Sequence, residues 1–246
     1  MKLTVLGRYG PFPAPGGACS GYLLQSGGIT LALDMGSGVL RNLLRCLPDL
    51  SLTAVLLSHL HSDHMSDMLV LRYALQQLSS HGRPVPMPLT VVAPEAPEAE
   101  FRQLAGSGVF DMVPAQDGLR IRFDGMSISL RRVIHPVPCY SFYIEHQGRR
   151  LFYTGDTGYH SALVDLARGA DVILADTGLL NREKTIDVAP HMTPGEAGRL
   201  AREAGAKQLL CTHIWGGEYR DEDILLEAKE IFPNTLVVEE LHEYMI

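Results

Sequence analysis

Apolar residues in the first third of the chain fall into short runs bounded by glycine and polar turns, the pattern of strands. They predict strands over 3–7, 21–25 and 29–35, the last two joined at Ser26, Gly27 and Gly28 as a hairpin. A Gly/Pro-rich loop over 9–20 separates the first two. Segment 51–58 alternates too little for a half-exposed strand and reads as a buried one. From 65 to 78, Met68, Leu69, Leu71, Leu75 and Leu78 recur at helical spacing with polar residues between them. Beyond them the pattern predicts a strand at 89–93, a helix at 95–104, and strands at 120–123, 127–134, 140–145 and 150–153. It then alternates: helix 161–167, strand 171–175, helix 194–204, strand 208–212, helix 223–231, strand 236–240. No linker, composition shift or clear internal repeat divides the halves. The expectation is one layered α/β domain over 1–246, two sheets sharing a core with helices outside.

Composition narrows this picture. With 46% hydrophobic and 20% charged residues, the 246-residue chain can bury a proper core. Its net charge of −7 counts against a generic nucleic-acid binder, because phosphate backbones are held by clustered Lys and Arg. The pairs Arg131-Arg132 and Arg149-Arg150 are too short to change that. Cys19, Cys46, Cys139 and Cys211 show no C-x-x-C spacing, so neither a disulfide framework nor a thiolate zinc site is indicated. No apolar run suits a signal peptide or a membrane span, and the expectation is a soluble protein of the cytoplasm.

The densest chemistry is SHLHSDH, residues 58–64, placed where a buried strand ends and a helix begins. Residues two apart in extended chain face the same way, so His59, His61 and Asp63 are expected to converge, with His64 approaching from the helix start. The spacing H-x-H-x-D-H rarely arises by chance and points to metal ligation.

These residues resemble the signature of the metallo-β-lactamase superfamily. The rest of that pattern appears in order: His135 in RRVIHPVP, Asp156 in LFYTGDTG and His213 in LLCTHIW, each where an apolar strand stops. The resemblance implies a four-layer αβ/βα sandwich with two mixed β-sheets and helices outside. It also implies one metal on His59, His61 and His135, a second on Asp63, His64 and His213, and Asp156 between them. Nitrogen and carboxylate donors without thiolate suit zinc first, with manganese or iron as alternatives.

His191 lies in APHMTPGEAGRLA, where Thr193, Pro194 and Glu196 form a helix-start signature. Here the chain is similar to the tRNase Z and phosphodiesterase branch, in which an H-x-T loop supplies a proton to the leaving oxygen. Asp176 in VILADTGLL aligns with the acidic residue that orients this histidine, commonly a longer Glu. Asp63, His191 and Asp176 are thus the expected catalytic residues. Asp34 and Asp67 are candidates to orient ligand imidazoles. His81, His146, His160 and His242 read as surface histidines.

Two dications, two carboxylates and a bridging hydroxide sum to about +1, so the pocket should attract anions although the chain is acidic. Hydrolysis by activated water follows. A proton donor at His191 selects phosphodiesters, and Asp156 in place of a cysteine disfavours β-lactams. Many tRNA-maturing relatives carry a long arm between the third metal histidine and the bridging aspartate, whereas His135 and Asp156 here flank only a hairpin. The expected substrate is therefore a small or cyclic phosphodiester. A tRNA 3′-processing endoribonuclease, a lactonase or thioesterase, and a non-catalytic scaffold are the alternatives. Relatives in this branch often dimerise, so a homodimer through the helix after the histidine cluster is a further expectation.

Overall fold

In the computed structural model, which describes residues 1–106, 108–185 and 189–246, strands apolar on both faces build two sheets. The first contains β1 (Lys2–Gly7), β2 (Gly21–Ser26), β3 (Ile29–Met35), β4 (Ala54–Leu56), β5 (Leu89–Ala93) and β6 (Phe110–Pro114) in that spatial order. β1 to β3 pair antiparallel, and β3 to β6 pair parallel. The second sheet contains β7 (Arg120–Phe123), β8 (Met126–Arg132), β9 (Tyr140–His146), β10 (Arg149–Tyr153), β11 (Val172–Asp176), β12 (Gln208–Thr212) and β13 (Thr235–Val237). It repeats the scheme, antiparallel from β7 to β10 and parallel from β10 to β13. A last strand, β14 (Glu243–Met245), returns to the first sheet and pairs antiparallel with β1.

Period-two alternation divides the buried side chains between two interfaces. In β3, Ile29, Leu31 and Leu33 face the core between the sheets, while Ala32 and Met35 face the helices. In β11, Val172 and Leu174 point inward and Ile173 and Ala175 outward. Both faces are dry, which explains the near-continuous apolar runs of these strands. The outer face of the first sheet is covered by α1 (Val39–Cys46), α3 (Asp67–Ser80) and α4 (Glu98–Ala105) through residues such as Leu43, Leu71 and Leu104. That of the second is covered by α5 (Ala162–Ala167), α6 (Pro194–Ala204) and α7 (Asp221–Lys229) through Leu163, Leu200 and Ile224. The order helix, sheet, sheet, helix is the expected four-layer αβ/βα sandwich. Among the described residues no helix is long and apolar enough to cross a membrane.

Several expectations shift. The strand predicted over 51–58 contracts to Ala54–Leu56, because the chain bends after Leu56 to deliver the histidines. A short helix, α2 (Ser62–Met65), precedes α3, which starts at Asp67 rather than at 65. α1, β6 and β14 carried no clear signal. α1 has no side-chain cap of its own; Asp67 Oδ2 accepts from Leu40 N at 2.7 Å and so satisfies its first turn from another helix. Asp67 therefore holds α1 and not a ligand imidazole. His146 is buried rather than on the surface, 2.8 Å from Ser26 Oγ, because the β9–β10 turn folds against the β2–β3 turn.

Phe142 lies fully buried in the inter-sheet core, its ring 5.9 Å from that of Tyr153. Phe142→Ala should lower the unfolding free energy by about 3–5 kcal/mol, read by urea denaturation followed by circular dichroism.

Candidate metal centre and active site

Most candidate side chains sit at the C-terminal end of a strand or in the turn after it, while Asp63 and His64 lie in α2. Asp34 and Asp176 close β3 and β11, and His213 follows β12 directly. His59, His135 and Asp156 lie three residues beyond β4, β8 and β10. β3 and β4 run parallel, as do β10, β11 and β12, so these ends share one edge of the sandwich, the usual place for a ligand in parallel sheets. His191 precedes α6, whose start is locked by Thr193 and Glu196: Glu196 N donates to Thr193 Oγ1 at 3.2 Å and Thr193 N to Glu196 Oε2 at 3.1 Å.

The predicted residues gather into three groups, the last two sharing Asp156 and His213, each with its ligand atoms within 4.8 Å of one another: His59, His61, His135; Asp63, His64, Asp156, His213; and Asp156, Asp176, His191, His213. Asp63 lies with His64 and His213, the grouping the resemblance implies, and not with His59 and His61, as strand spacing alone suggested. The chain is already helical at Ser62, so Asp63 turns towards His64 and His213, its Oδ2 3.5 Å and 3.3 Å from their Nε2 atoms. Asp156 stands between the clusters: its Oδ2 is 3.7 Å from His59 Nε2, 3.3 Å from His64 Nε2 and 3.1 Å from His213 Nε2.

Outer hydrogen bonds set which ring nitrogen faces inward. His59 Nδ1 lies 3.1 Å from Ser58 Oγ, His64 Nδ1 2.9 Å from Asp34 Oδ2, and His135 Nδ1 3.2 Å from Pro190 O. With those N–H groups donating outward, Nε2 is the nitrogen each ring turns inward, bare in His59 and His135. His59 Nε2 and His135 Nε2 then meet His61 Nδ1 at 3.0 Å and 3.1 Å, an arrangement in which lone pairs repel unless a proton or cation lies among them. His64 Nε2 is buried with no hydrogen-bond partner. These bare and orphaned donors, all nitrogen or carboxylate, fit a pair of divalent cations.

Electrostatics of the protein chain agree. Burial pushes His59 well below the usual imidazole range and lowers His61 and His135, keeping their lone pairs available. Burial opposes ionisation of Asp156 and Asp63, but surrounding histidines overcome it and hold both carboxyls below their usual range. His64 and His213 are raised well above theirs against burial, because Asp156 and its neighbours draw protons into the space a cation would neutralise.

Asp176 is within reach of His191 despite its shorter side chain, with Oδ2 3.0 Å from His191 Nδ1. Thr157 N and Gly178 N also donate to this buried carboxylate, at 3.0 Å and 2.8 Å. The His191 ring stacks on that of His213, with centroids 5.0 Å apart at 14°. Burial disfavours charge on His191, yet Asp176 raises it overall. A cleft of about 300 Å³ opens beside His135, lined by Ile134, Pro136, Ala189 and Pro190.

Sequence reasoning missed Ser58 and Tyr153. Ser58 Oγ donates to Asp34 and meets His59 in one relay, and Tyr153 OH donates to Asp34 Oδ2 at 2.6 Å. Ser58 was visible only as the residue before the first histidine. Tyr153 looked like any buried strand aromatic.

A family model described as a beta-lactamase superfamily domain matches residues 33–214, from the edge of Asp34 to just past His213. The probable metallo-hydrolase YhfI of Bacillus subtilis is 35% identical over 232 residues, covering 94% of each chain. Its crystal structure superposes with a TM-score of 0.92 at 32% identity, covering 99% of this chain and 98% of that one. A ribonuclease Z of Archaeoglobus fulgidus is 25% identical over 300 aligned positions, covering 98% of this chain and 96% of its own. A diphosphatase of the PhnP family shares the fold with a TM-score of 0.76 at 18% identity, covering 100% of this chain and 97% of that one. With a domain match over most of its length and a relative above 30% identity along nearly all of it, the chain belongs to the metallo-β-lactamase superfamily of metallo-hydrolases.

Proposed function

We propose that this protein is a binuclear metal-dependent phosphodiesterase acting on a small or cyclic phosphodiester. The observation that carries the reading is His191, stacked on His213 with Nδ1 3.0 Å from Asp176. His59, His61 and His135 would hold one cation and Asp63, His64 and His213 the other, with Asp156 shared; zinc is first choice for this donor set. When bound, the two ions supply Lewis acidity to the phosphoryl group and to an attacking water.

The chain's own residues do the rest. Asp176, fixed by two backbone N–H groups, accepts from Nδ1 and so fixes the His191 tautomer and ring. The hydrogen bonds of His191 to described residues use Nδ1 alone, which leaves Nε2 to deliver a proton to a leaving alkoxide. A carbonyl hydrolase need not use that residue, a thioesterase least of all because a thiolate leaves without a proton, and the lactonase and thioesterase readings rank below.

Size supports a small substrate. From Tyr140 to Tyr153 the chain between His135 and Asp156 is a hairpin turning at Gln147 and Gly148, with no arm to grip RNA. The cleft of about 300 Å³ lies at the small end of ligand sites. The ribonuclease Z relative aligns over 300 positions, more than the 246 residues present here. That relative's name, with alignment along nearly its whole length, keeps RNA processing as the second reading; release of a 3′ trailer from unprocessed tRNA would favour it.

Metal-loaded protein should hydrolyse bis(p-nitrophenyl) phosphate, lose that activity to a chelator and regain it with zinc or manganese. Asp156→Ala should lower bound metal, counted by inductively coupled plasma mass spectrometry, together with rate; two metals per chain and normal turnover would contradict its shared position. His191→Ala should retain metal yet lose roughly 100-fold or more in kcat on a phosphodiester with an alkoxide leaving group, such as a cyclic nucleotide, as for a general acid. An unchanged kcat would remove His191 from that role.

A further inference from the structure

We propose that Phe12 and Trp215 form an aromatic platform that stacks a nucleobase, so that the phosphodiester taken by this site is a nucleotide. The inference rests on the phosphodiesterase reading and adds the substrate class and the residues that select it.

Neither residue belongs to the metal cluster, but the backbone carries both to its rim. Tyr9 and Ile214 form an isolated parallel bridge, with Gly10 N donating to Ile214 O at 3.0 Å and Ile214 N to Arg8 O at 2.9 Å. Gly10 lies against His213 so closely that a Cβ there would fall 2.0 Å from Nε2, the nitrogen that faces Asp63 and Asp156. Phe12 and Trp215 are each two residues further on. Two residues of chain span at most about 7 Å, so the backbones of Phe12 and Trp215 lie within about that distance of Gly10 and His213.

The rings meet edge to face, with centroids 6.5 Å apart at 85°. Trp215 is braced from behind by Tyr219 at 5.9 Å, itself buried with its hydroxyl on Glu183. Gly216 packs under the Phe12 segment, where a Cβ would lie 2.9 Å from Phe12 O and 2.6 Å from Ala14 N. Held this way, Phe12 and Trp215 still leave 48% and 38% of their surfaces in water. Large aromatic faces fixed in place and left wet beside an anion-binding centre suit a planar ring attached to a phosphate. Stacking takes any base through its π-face and needs no Lys or Arg, consistent with a chain of net charge −7.

Trp215 is the only tryptophan of the chain, so its fluorescence reports the platform directly. Adenosine 5′-monophosphate should quench the metal-loaded protein and ribose 5-phosphate should not, and Phe12→Ala should raise the half-saturating nucleotide concentration by about 5-fold or more. Equal quenching by the two probes, or an unchanged half-saturation in Phe12→Ala, would overturn the proposal. In a second arm, kcat/KM for thymidine 5′-(p-nitrophenyl phosphate) should exceed that for methyl p-nitrophenyl phosphate by about 10-fold, the leaving group being the same. That ratio should collapse in Trp215→Ala, return in Trp215→Phe and persist in the remote control Leu226→Ser. A ratio unaffected by Trp215→Ala would count against the platform. Hydrolysis of bis(p-nitrophenyl) phosphate without base preference removes the platform and keeps the hydrolase; quenching by adenosine 5′-monophosphate without any hydrolysis does the reverse.

Discussion

The buried carboxylate of Asp34 is the constraint on which the rest of the site depends. It accepts from Ser58 N at 2.7 Å, Ser58 Oγ at 2.8 Å and Tyr153 OH at 2.6 Å, and meets His64 Nδ1 at 2.9 Å. These four groups come from the turn after β4, from α2 and from the opposite sheet. A carboxylate with no exposed surface is tolerable only when its lone pairs are filled, and here filling them aligns the histidine turn. Through Ser58 the same carboxylate reaches His59, and through His64 it leaves Nε2 turned inward. One side chain thus sets a tautomer in each of the two clusters.

Asp34 also ties the site to the seam between the sheets. Tyr153 belongs to the second sheet, and its ring lies 5.3 Å from Tyr22 of the first, whose hydroxyl is 2.6 Å from Thr212 Oγ1 next to His213. The two tyrosines cross the seam in opposite directions directly beneath the cluster. His59, His61, Asp63 and His64 follow the first sheet, while His135, Asp156 and His213 follow the second. Neither sheet carries a complete set of donors, so the site exists only when both halves have closed on the common core. This explains why the most buried polar residues and the largest buried aromatics lie within a few side chains of one another.

Much of this was legible from residue order because it rests on local rules. Strands dry on both faces announce themselves as apolar runs, which is why β3, β5 and β12 match their predicted limits, while β7 was read from its alternation of Arg with Ile and Phe. The start of α6 was readable because cap, first-turn proline and capping-box glutamate are adjacent. What escaped depends on contacts distant along the chain. α1 is capped by Asp67, which lies 27 residues from Leu40, and β6 and β14 are edge strands in which little more than one side chain is buried. Strand spacing alone placed Asp63 with His59 and His61, one residue past the point where helix begins, whereas the resemblance grouped it with His64 and His213, beside which it lies. Asp176 shows the reverse: its shorter side chain seemed a poor partner for His191, but the backbone brings the two within hydrogen-bond distance.

The division between what was legible and what was not follows a division of labour in the molecule. Donors to the metals sit on strand ends, where a rigid sheet edge fixes them to fractions of an ångström and leaves little freedom to vary. The groups proposed to choose the substrate sit on segments that only lean on that edge: His191 before α6, the 9–17 loop, and the turn after His213. Such segments tolerate insertion and replacement because few sheet hydrogen bonds run through them. A ribonuclease Z aligns with 98% of this chain at 25% identity while spanning 300 positions. The candidate metal donors belong to the sandwich, and the groups proposed to select a substrate belong to three loops. For this chain those loops carry His191, stacked on His213, and the partly exposed rings of Phe12 and Trp215.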